Sequence, residues 1–129
     1  MRIILDTQCW LWMQADPARL SARSRKLIVE PANELLLSVA SIWEIAIKTG
    51  LGKLELPAPV DEYVTSRMAE HGVRSLSIEQ AHALRVASLP PHHRDPFDRI
   101  LIAQAQVENL PLLTSDRTLR AYDLKVILA

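Results

Sequence analysis

Short apolar runs alternate along the chain with longer segments of helical periodicity. Four of these runs carry consecutive apolar side chains, a pattern typical of strands that are buried on both faces, and a fifth short run is VRSL at residues 73–76. Such strands, separated by helices, form parallel sheets that are covered on both sides. The pattern therefore predicts an α/β domain with strands at residues 2–5, 34–38, 73–76, 111–114 and 125–128.

Capping and breaking residues set the limits of the helices between these strands. Ser21 suits the N-cap position of a helix that Pro31 closes, and Gly50 and Gly72 suit the positions where two others end. Helices are predicted at residues 7–15, 22–30, 41–50, 60–71, 78–88 and 96–109, with a helical turn after residue 116. We expect one domain that spans residues 1–129.

Composition is that of a soluble globular protein. Hydrophobic residues make up 49% of the 129 positions and charged residues 23%, which argues against disorder. Fifteen basic and 15 acidic residues give zero net charge, so a surface that is basic all over is not expected. Cys9 is the single cysteine, the apolar stretch 35–47 is too short for a membrane span, and no secretory signal is recognisable. A cytoplasmic protein is expected.

Five acidic residues lie at positions where a functional site could form. Asp6 and Asp116 follow two predicted strands, and ligands of parallel sheets gather beyond the carboxyl ends of strands. Asp95 and Asp98 stand three positions apart where a loop becomes a helix, in PPHHRDPFDRILIAQAQ. Glu44 lies within the apolar helix SVASIWEIAIKTG.

Each of the four aspartates also has an ordinary structural explanation. Asp6 and Asp116 suit the N-cap positions of the elements that follow them. Asp95, followed by a proline, has the same property, and Asp98 could complement the dipole of the same helix.

Glu44 has two structural explanations as well. Ser41 and Glu44 have the spacing of a capping box, in which the two side chains satisfy backbone amides at the start of a helix. Glu44 and Lys48 have the spacing of an ion pair along one helical face. Neither explanation accounts for several acids at one edge of the sheet.

A divalent cation would explain the gathering of the acids. Crowded carboxylates repel one another, and each would have a raised pKa unless a positive charge joined them. Oxygen ligands without a cysteine and histidine set favour Mg²⁺ or Mn²⁺ over Zn²⁺. The histidines have no zinc spacing with Cys9, and we expect two of them, His92 and His93, to be loop residues that face the substrate.

The chain resembles the PIN-domain ribonucleases, in particular the VapC-type toxins of bacterial toxin–antitoxin pairs. The resemblance covers nearly the whole chain and depends on four motifs in the family's order. They are IILDT (3–7), SVASIWEIAIK (38–48), RDPFDRILIAQA (94–105) and LLTSD (112–116). The resemblance implies a parallel sheet of about five strands flanked by helices and an endoribonuclease that depends on Mg²⁺ or Mn²⁺.

Site residues follow from the resemblance position by position. It implies that Asp6, Glu44, Asp98 and Asp116 are catalytic, and that the three aspartates among them bind the metal. Thr7, Asp95 and Thr114 are expected to support them, Asp95 mainly as a helix cap. Gln8 departs from the family, whose toxins often have Asn or His at this position.

The resemblance also implies partners and a mechanism. Expected partners are RNA, a cognate VapB-like antitoxin and a second copy of the chain, with DNA contacted only through the antitoxin and no membrane. Water activated by the metal would attack the phosphodiester and leave a 5′-phosphate and a 3′-hydroxyl. Several basic residues lie near the motifs in sequence, and we expect some of them to contact RNA. They are Lys48, Lys53, Arg94, Arg99 and Arg117.

Two other functions fit parts of the pattern. Asp6 could be the nucleophile of a phosphoryl-transfer enzyme, although Gln8 stands where a phosphatase of the haloacid-dehalogenase type would have a second aspartate. A non-catalytic PIN-like RNA-binding or interaction module is the stronger alternative. Of the tryptophans, Trp43 is expected in the core, and one of Trp10 and Trp12 is expected to be exposed.

Overall fold

A parallel sheet of five strands in the order β3-β2-β1-β4-β5 forms the centre of the molecule. The computed structural model describes residues 1–129. The sequence predicted all five strands to within one residue at either end. Their bounds are β1 (Arg2–Leu5), β2 (Glu34–Ser38), β3 (Arg74–Leu76), β4 (Leu112–Thr114) and β5 (Val126–Leu128).

Six helices flank the sheet, and the α/β fold predicted from the sequence is confirmed. None of them combines the length and apolarity that a bilayer crossing requires. Short 3₁₀ turns at Pro17–Arg19, Val86–Ser88 and Arg117–Ala121 complete the regular structure. The helices are α1 (Thr7–Ala15), α2 (Ala22–Val29), α3 (Val39–Gly50), α4 (Val60–His71), α5 (Gln80–Arg85) and α6 (Pro96–Glu108).

Each face of the sheet has its own apolar core. Successive side chains of a strand point to opposite faces, so Ile3 and Leu5 pack in one cluster and Ile4 in the other. The first cluster includes side chains of α1, α3 and α4, and the second is built largely on α6. This burial on both sides explains the unbroken apolar runs of the strands.

Two predicted helix starts are wrong. Helix α3 begins at Val39 because the Ser38 hydroxyl accepts the Ala40 N–H at 3.1 Å, so Ser41 lies inside the helix and forms no capping box. Helix α5 begins at Gln80 rather than at residue 78. The N–H of Glu79 donates to a ring nitrogen of His82, and this contact makes Glu79 the N-cap residue of the helix.

The tryptophans divide unevenly between core and surface. Trp10 is fully buried, and Trp12 is partly exposed beneath the Arg19 guanidinium, as the helical spacing predicted. The prediction for Trp43 is wrong, since its side chain is 60% exposed. Helix α3 buries Ala40, Ser41, Glu44 and Ile45, and this stripe leaves Trp43 on the outer side, against the edge of the Phe97 ring.

Strand order determines where a ligand can bind. The chain runs outward from β1 through β2 to β3, then returns to the other side of β1 with β4 and β5. The connections therefore change direction between β1 and β4, and a crevice opens at such a point beyond the carboxyl ends of the strands. Asp6 and Asp116 follow these two strands.

Leu37, fully buried on β2, allows a test of the two-sided core. We expect Leu37→Ala to lower the free energy of unfolding by about 2–5 kcal/mol, since it removes packed methyl groups and leaves a cavity. Leu84→Ala, at a position 65% exposed, is the matched control and should change it by less than about 0.5 kcal/mol. Urea unfolding at one protein concentration measures the free energy of unfolding of each variant. Equal losses in Leu37→Ala and Leu84→Ala would contradict the burial of Leu37 in the core.

Candidate functional site

A cleft of about 330 Å³ opens between β1 and β4 at the carboxyl edge of the sheet. The two strands are held in register there by the Asp6 N–H, which donates to the Leu113 carbonyl at 2.9 Å. All five predicted acidic residues line this one cleft, Asp6, Glu44, Asp95, Asp98 and Asp116. Residues far apart in the sequence therefore meet as the strand pattern predicted.

Asp6 lies deepest, at the point where β1 becomes α1. One carboxylate oxygen accepts the Cys9 N–H at 2.7 Å and so caps the helix, while the other accepts the buried Thr114 hydroxyl. Burial raises the pKa of Asp6, and these hydrogen bonds oppose the rise. Asp6 thus caps the helix and faces the cleft at the same time.

Glu44 is buried on α3 and is held from two sides. The Thr7 hydroxyl donates to Oε1 at 2.7 Å, and the Lys48 ammonium contacts Oε2 at 2.6 Å. The hydrogen bond with Glu44 raises the pKa of Lys48, so this lysine stays charged. The predicted ion pair is present, and it neutralises a carboxylate that would otherwise be costly to bury.

Asp95 and Asp98 differ although they share the first turn of α6. Asp95 caps the helix, accepting the N–H groups of Phe97 at 2.8 Å and Asp98 at 3.4 Å. Burial raises the pKa of Asp98 to about 6, and repulsion by Asp95 adds to the rise. Asp98 is therefore the acid that most needs a positive partner.

Asp116 is the most exposed of the three aspartates that are predicted to bind the metal. Its Oδ1 accepts the hydroxyl of Thr118 at 2.6 Å and the N–H of the same residue at 2.9 Å. The Thr118 hydrogen bonds lower the pKa of Asp116. Its own N–H donates to the Thr114 hydroxyl oxygen at 3.0 Å, so Thr114 bridges Asp6 and Asp116.

His93 contacts two of the acids, whereas the sequence predicted a loop residue that faces the substrate and no contact with the acids. Its Nε2 lies 3.1 Å from Asp116 and 3.3 Å from Asp98. One atom from each of the three side chains falls within 4.8 Å of the others. The only sequence signal was proximity to Asp95 and Asp98, and no spacing rule relates such a histidine to Asp116.

The basic residues predicted to contact substrate occupy different places. Lys48 and Lys53 line the cleft, while Arg94 and Arg117 are exposed beside it in sequence. Arg99 points elsewhere, since its guanidinium donates to four backbone carbonyls and approaches a tyrosine hydroxyl. These hydrogen bonds occupy its donors, which corrects the prediction that it contacts substrate.

The donor set of the cleft fits a hard divalent cation. The cleft offers carboxylate oxygens from Asp6, Asp98 and Asp116, the kind of atom that Mg²⁺ and Mn²⁺ prefer as a ligand. Lys48 neutralises Glu44, and the other acids have no lysine or arginine salt bridge. A cation could therefore stabilise the ionised Asp98.

Comparison with known proteins gives consistent results. Residues 3–125 match the family model for the PIN domain. The chain is 33% identical over 121 residues to Ribonuclease VapC22 of Mycobacterium tuberculosis, covering 93% of this chain and 91% of that protein. It is 46% identical over 69 residues to Ribonuclease VapC16 of the same organism, covering 53% and 49%.

Solved structures share the backbone fold. The chain is similar to a chain in the crystal structure of VapBC2 from Rickettsia felis bound to a promoter DNA fragment. The TM-score is 0.76 and the identity 12%, and the match covers 99% of this chain and 98% of that one. It is also similar to one in the structure of VapBC-1 from nontypeable Haemophilus influenzae, with a TM-score of 0.67 and 18% identity over 99% and 98%. At such identities these likenesses describe the fold alone.

Removal of the charge at Asp98 should stabilise the metal-free protein. The folded-state pKa of about 6 is above the unfolded value of 3.8, so ionisation favours unfolding and its cost is complete above about pH 6. Asp98→Asn should therefore raise the free energy of unfolding at pH 7.5 by about 1–3 kcal/mol. The gain should vanish as the pH falls through about 4, where both states of the wild type are protonated.

Urea unfolding in a chelator across this pH range measures the difference between Asp98→Asn and wild type. Asp61→Asn, in the first turn of α4 and outside the cleft, is the matched control. A lower free energy of unfolding for Asp98→Asn than for wild type at pH 7.5 would contradict the claim that ionised Asp98 destabilises the folded protein.

Proposed function

The chain belongs to the PIN-domain family, as its motifs predicted, and we propose that it is a divalent-metal-dependent endoribonuclease, the toxin of a toxin–antitoxin pair. Residues 1–129 form the nuclease domain, which acts in the cytoplasm. The observation that carries this proposal is the cleft at β1 and β4, where Asp6, Asp98 and Asp116 meet and where burial, with repulsion by Asp95, raises the pKa of Asp98 to about 6.

The catalytic roles follow from the contacts of each acid. Asp6, Asp98 and Asp116 hold Mg²⁺ or Mn²⁺, directly or through water. When bound, the cation supplies a water of lowered pKa and positive charge for the phosphate oxygens. Glu44, held by Thr7 and Lys48, is a further ligand or orients the attacking water.

The phosphodiester has to be drawn to a cleft lined mainly by acids. The cation offsets their charge, and Lys48, exposed along about half of its side chain, presents an ammonium beside the site. Arg94 and Arg117 are exposed next to Asp95 and Asp116 in sequence and contact the RNA backbone at the rim. We assign Arg99 to the loop instead.

The partners follow from the relatives. The similar structures include VapBC complexes, some of them bound to DNA, and we propose a VapB-like antitoxin that covers the cleft and alone contacts DNA. We also propose a homodimer. The exposed Trp43 and its neighbour Phe97 belong to an apolar groove that could bury such a contact.

A non-catalytic module is the second candidate, because Asp6, Asp95 and Asp116 all cap helical elements and so have structural uses. Capping does not explain Asp98, whose charge is unfavourable in the metal-free protein. Calorimetric titration with Mn²⁺ separates the two, since a scaffold has no need to bind the ion. Phosphoryl transfer to Asp6 is disfavoured because Gln8 stands where a phosphatase of the haloacid-dehalogenase type would have a second aspartate.

Loss of one metal-binding carboxylate should abolish most RNA cleavage while the fold is retained. We expect Asp98→Asn with Mn²⁺ to cleave a single-stranded RNA at least about 100-fold more slowly than wild type, because a ligand charge is lost. Asp123→Asn, exposed and outside the cleft, should cleave at the wild-type rate.

Product analysis completes this test. The wild type should leave 5′-phosphate and 3′-hydroxyl ends, and a chelator should stop the reaction. Cleavage by Asp98→Asn at the wild-type rate would remove Asp98 from the mechanism. Cyclic 2′,3′-phosphate ends would show that the 2′-hydroxyl is the nucleophile and would contradict attack by water.

A further inference from the structure

His93 joins two of the acids of the cleft through a single ring nitrogen. Nε2 lies 3.1 Å from Oδ2 of Asp116 and 3.3 Å from Oδ2 of Asp98. One of these acids lies in the first turn of α6 and the other follows β4. No other side chain forms a hydrogen bond or ion pair with each of these two acids.

The second ring nitrogen determines where the imidazole carries its proton. Nδ1 of His93 accepts the backbone N–H of Asp95 at 3.2 Å, so its lone pair is used as an acceptor. In the neutral ring the proton must then be on Nε2. Nε2–H is then the donor to Asp116, with Asp98 beside it, and a nitrogen that carries a proton cannot coordinate a metal.

Backbone contacts fix the position of the ring. The N–H of His93 donates to the buried Tyr122 hydroxyl at 2.8 Å, and its carbonyl accepts from Arg99 at 3.2 Å. Arg99 also donates to the carbonyls of Pro90 at 3.0 Å and Leu89 at 3.3 Å. The loop before α6 is thus tied to the helix that it precedes and to the 3₁₀ turn after β4.

We propose that His93 is a positioning residue that holds Asp98 and Asp116 together as metal ligands, by donating Nε2–H to Asp116 while the same nitrogen lies beside Asp98, and that it is not a ligand itself. This inference rests on the proposed function. The donated hydrogen bond offsets the repulsion between the carboxylates in the metal-free cleft. Oδ1 of Asp98, which accepts no hydrogen bond, is left for the cation.

The opposite assignment, His93 as a ligand, conflicts with the loop geometry. Coordination through Nε2 would move the proton to Nδ1, which would then face the N–H of Asp95, donor against donor. An amide that loses its acceptor in a partly buried site is costly. Hydrogen bonds to ligating carboxylates, by contrast, commonly support metal affinity from outside the coordination sphere.

Metal affinity of the full-length chain tests the positioning role. His93→Ala removes the donor and should weaken Mn²⁺ binding, measured by calorimetry, about 10- to 100-fold. His93→Gln keeps an N–H donor near the position of Nε2 and should recover most of the affinity. His92→Ala is the matched control, since its ring contacts Tyr122 and neither acid, and its affinity should equal that of wild type.

Two spectroscopic measurements separate a donor from a ligand. Long-range ¹H–¹⁵N correlation spectra of the metal-free protein under alkaline conditions should show the Nε2–H tautomer for His93. Electron spin-echo spectra of the Mn²⁺-loaded protein should show no directly coordinated ¹⁴N. An Nδ1–H tautomer, a coordinated nitrogen, or unchanged Mn²⁺ affinity in His93→Ala would each overturn the inference.

Failure of this inference can be told from failure of the proposed function. A wild type that binds no Mn²⁺ would end the proposed function and with it the role of His93 in holding ligands. Normal Mn²⁺ binding and RNA cleavage by wild type, together with either contrary spectroscopic result, would leave the nuclease intact and reject His93 as a donor.

Discussion

Carboxylates gathered at one edge of a parallel sheet repel one another, and the hydrogen bonds around the cleft are arranged against that repulsion. Strands β1 and β4 are neighbours with the same direction, so acids that follow them are brought together by the hydrogen bonds of the sheet. Asp98 on α6 and Glu44 on α3 are added from opposite faces. In the absence of a cation this arrangement destabilises the fold, because charged groups are partly removed from water.

The chain offsets most of this cost with its own donors. Thr114 donates to Asp6, Lys48 and Thr7 hold Glu44, and helix-capping amides contact three of the aspartates. Two roles that looked like alternatives in the sequence, helix cap and functional acid, coincide in Asp6 because a carboxylate has two oxygens. Asp98 has only the His93 ring beside it, and burial, with repulsion by Asp95, still raises its pKa to about 6.

Much of the fold and of the acidic set could be predicted from the sequence, because each depended on local patterns. Unbroken apolar runs identify strands buried on both faces, and an acid directly after such a strand must lie at the carboxyl edge. Trp43 could not be placed in this way. The buried face of helix α3 includes Glu44. A charged residue therefore occupies an inward position, whereas apolarity alone would place the tryptophan there.

The contact of His93 with Asp98 and Asp116 could not be predicted from the sequence, for a different physical reason. Its position depends on Arg99 and Tyr122, one a turn into α6 and the other beyond β4, and both contacts exist only in the folded chain. The same network explains why Arg99, near the motif in sequence, does not face the cleft. Spacing rules describe regular elements, whereas a loop held by side chains from elsewhere has no periodic signal.

Crystals grown with Mn²⁺ and measured at a wavelength with anomalous signal test the central claim, that these carboxylates form a divalent cation site. The account predicts an anomalous peak in the cleft with oxygens of Asp6, Asp98 or Asp116 at about 2.0–2.3 Å, or one bridging water away. No peak in the cleft at saturating Mn²⁺, with the acids still gathered as described here, would contradict it.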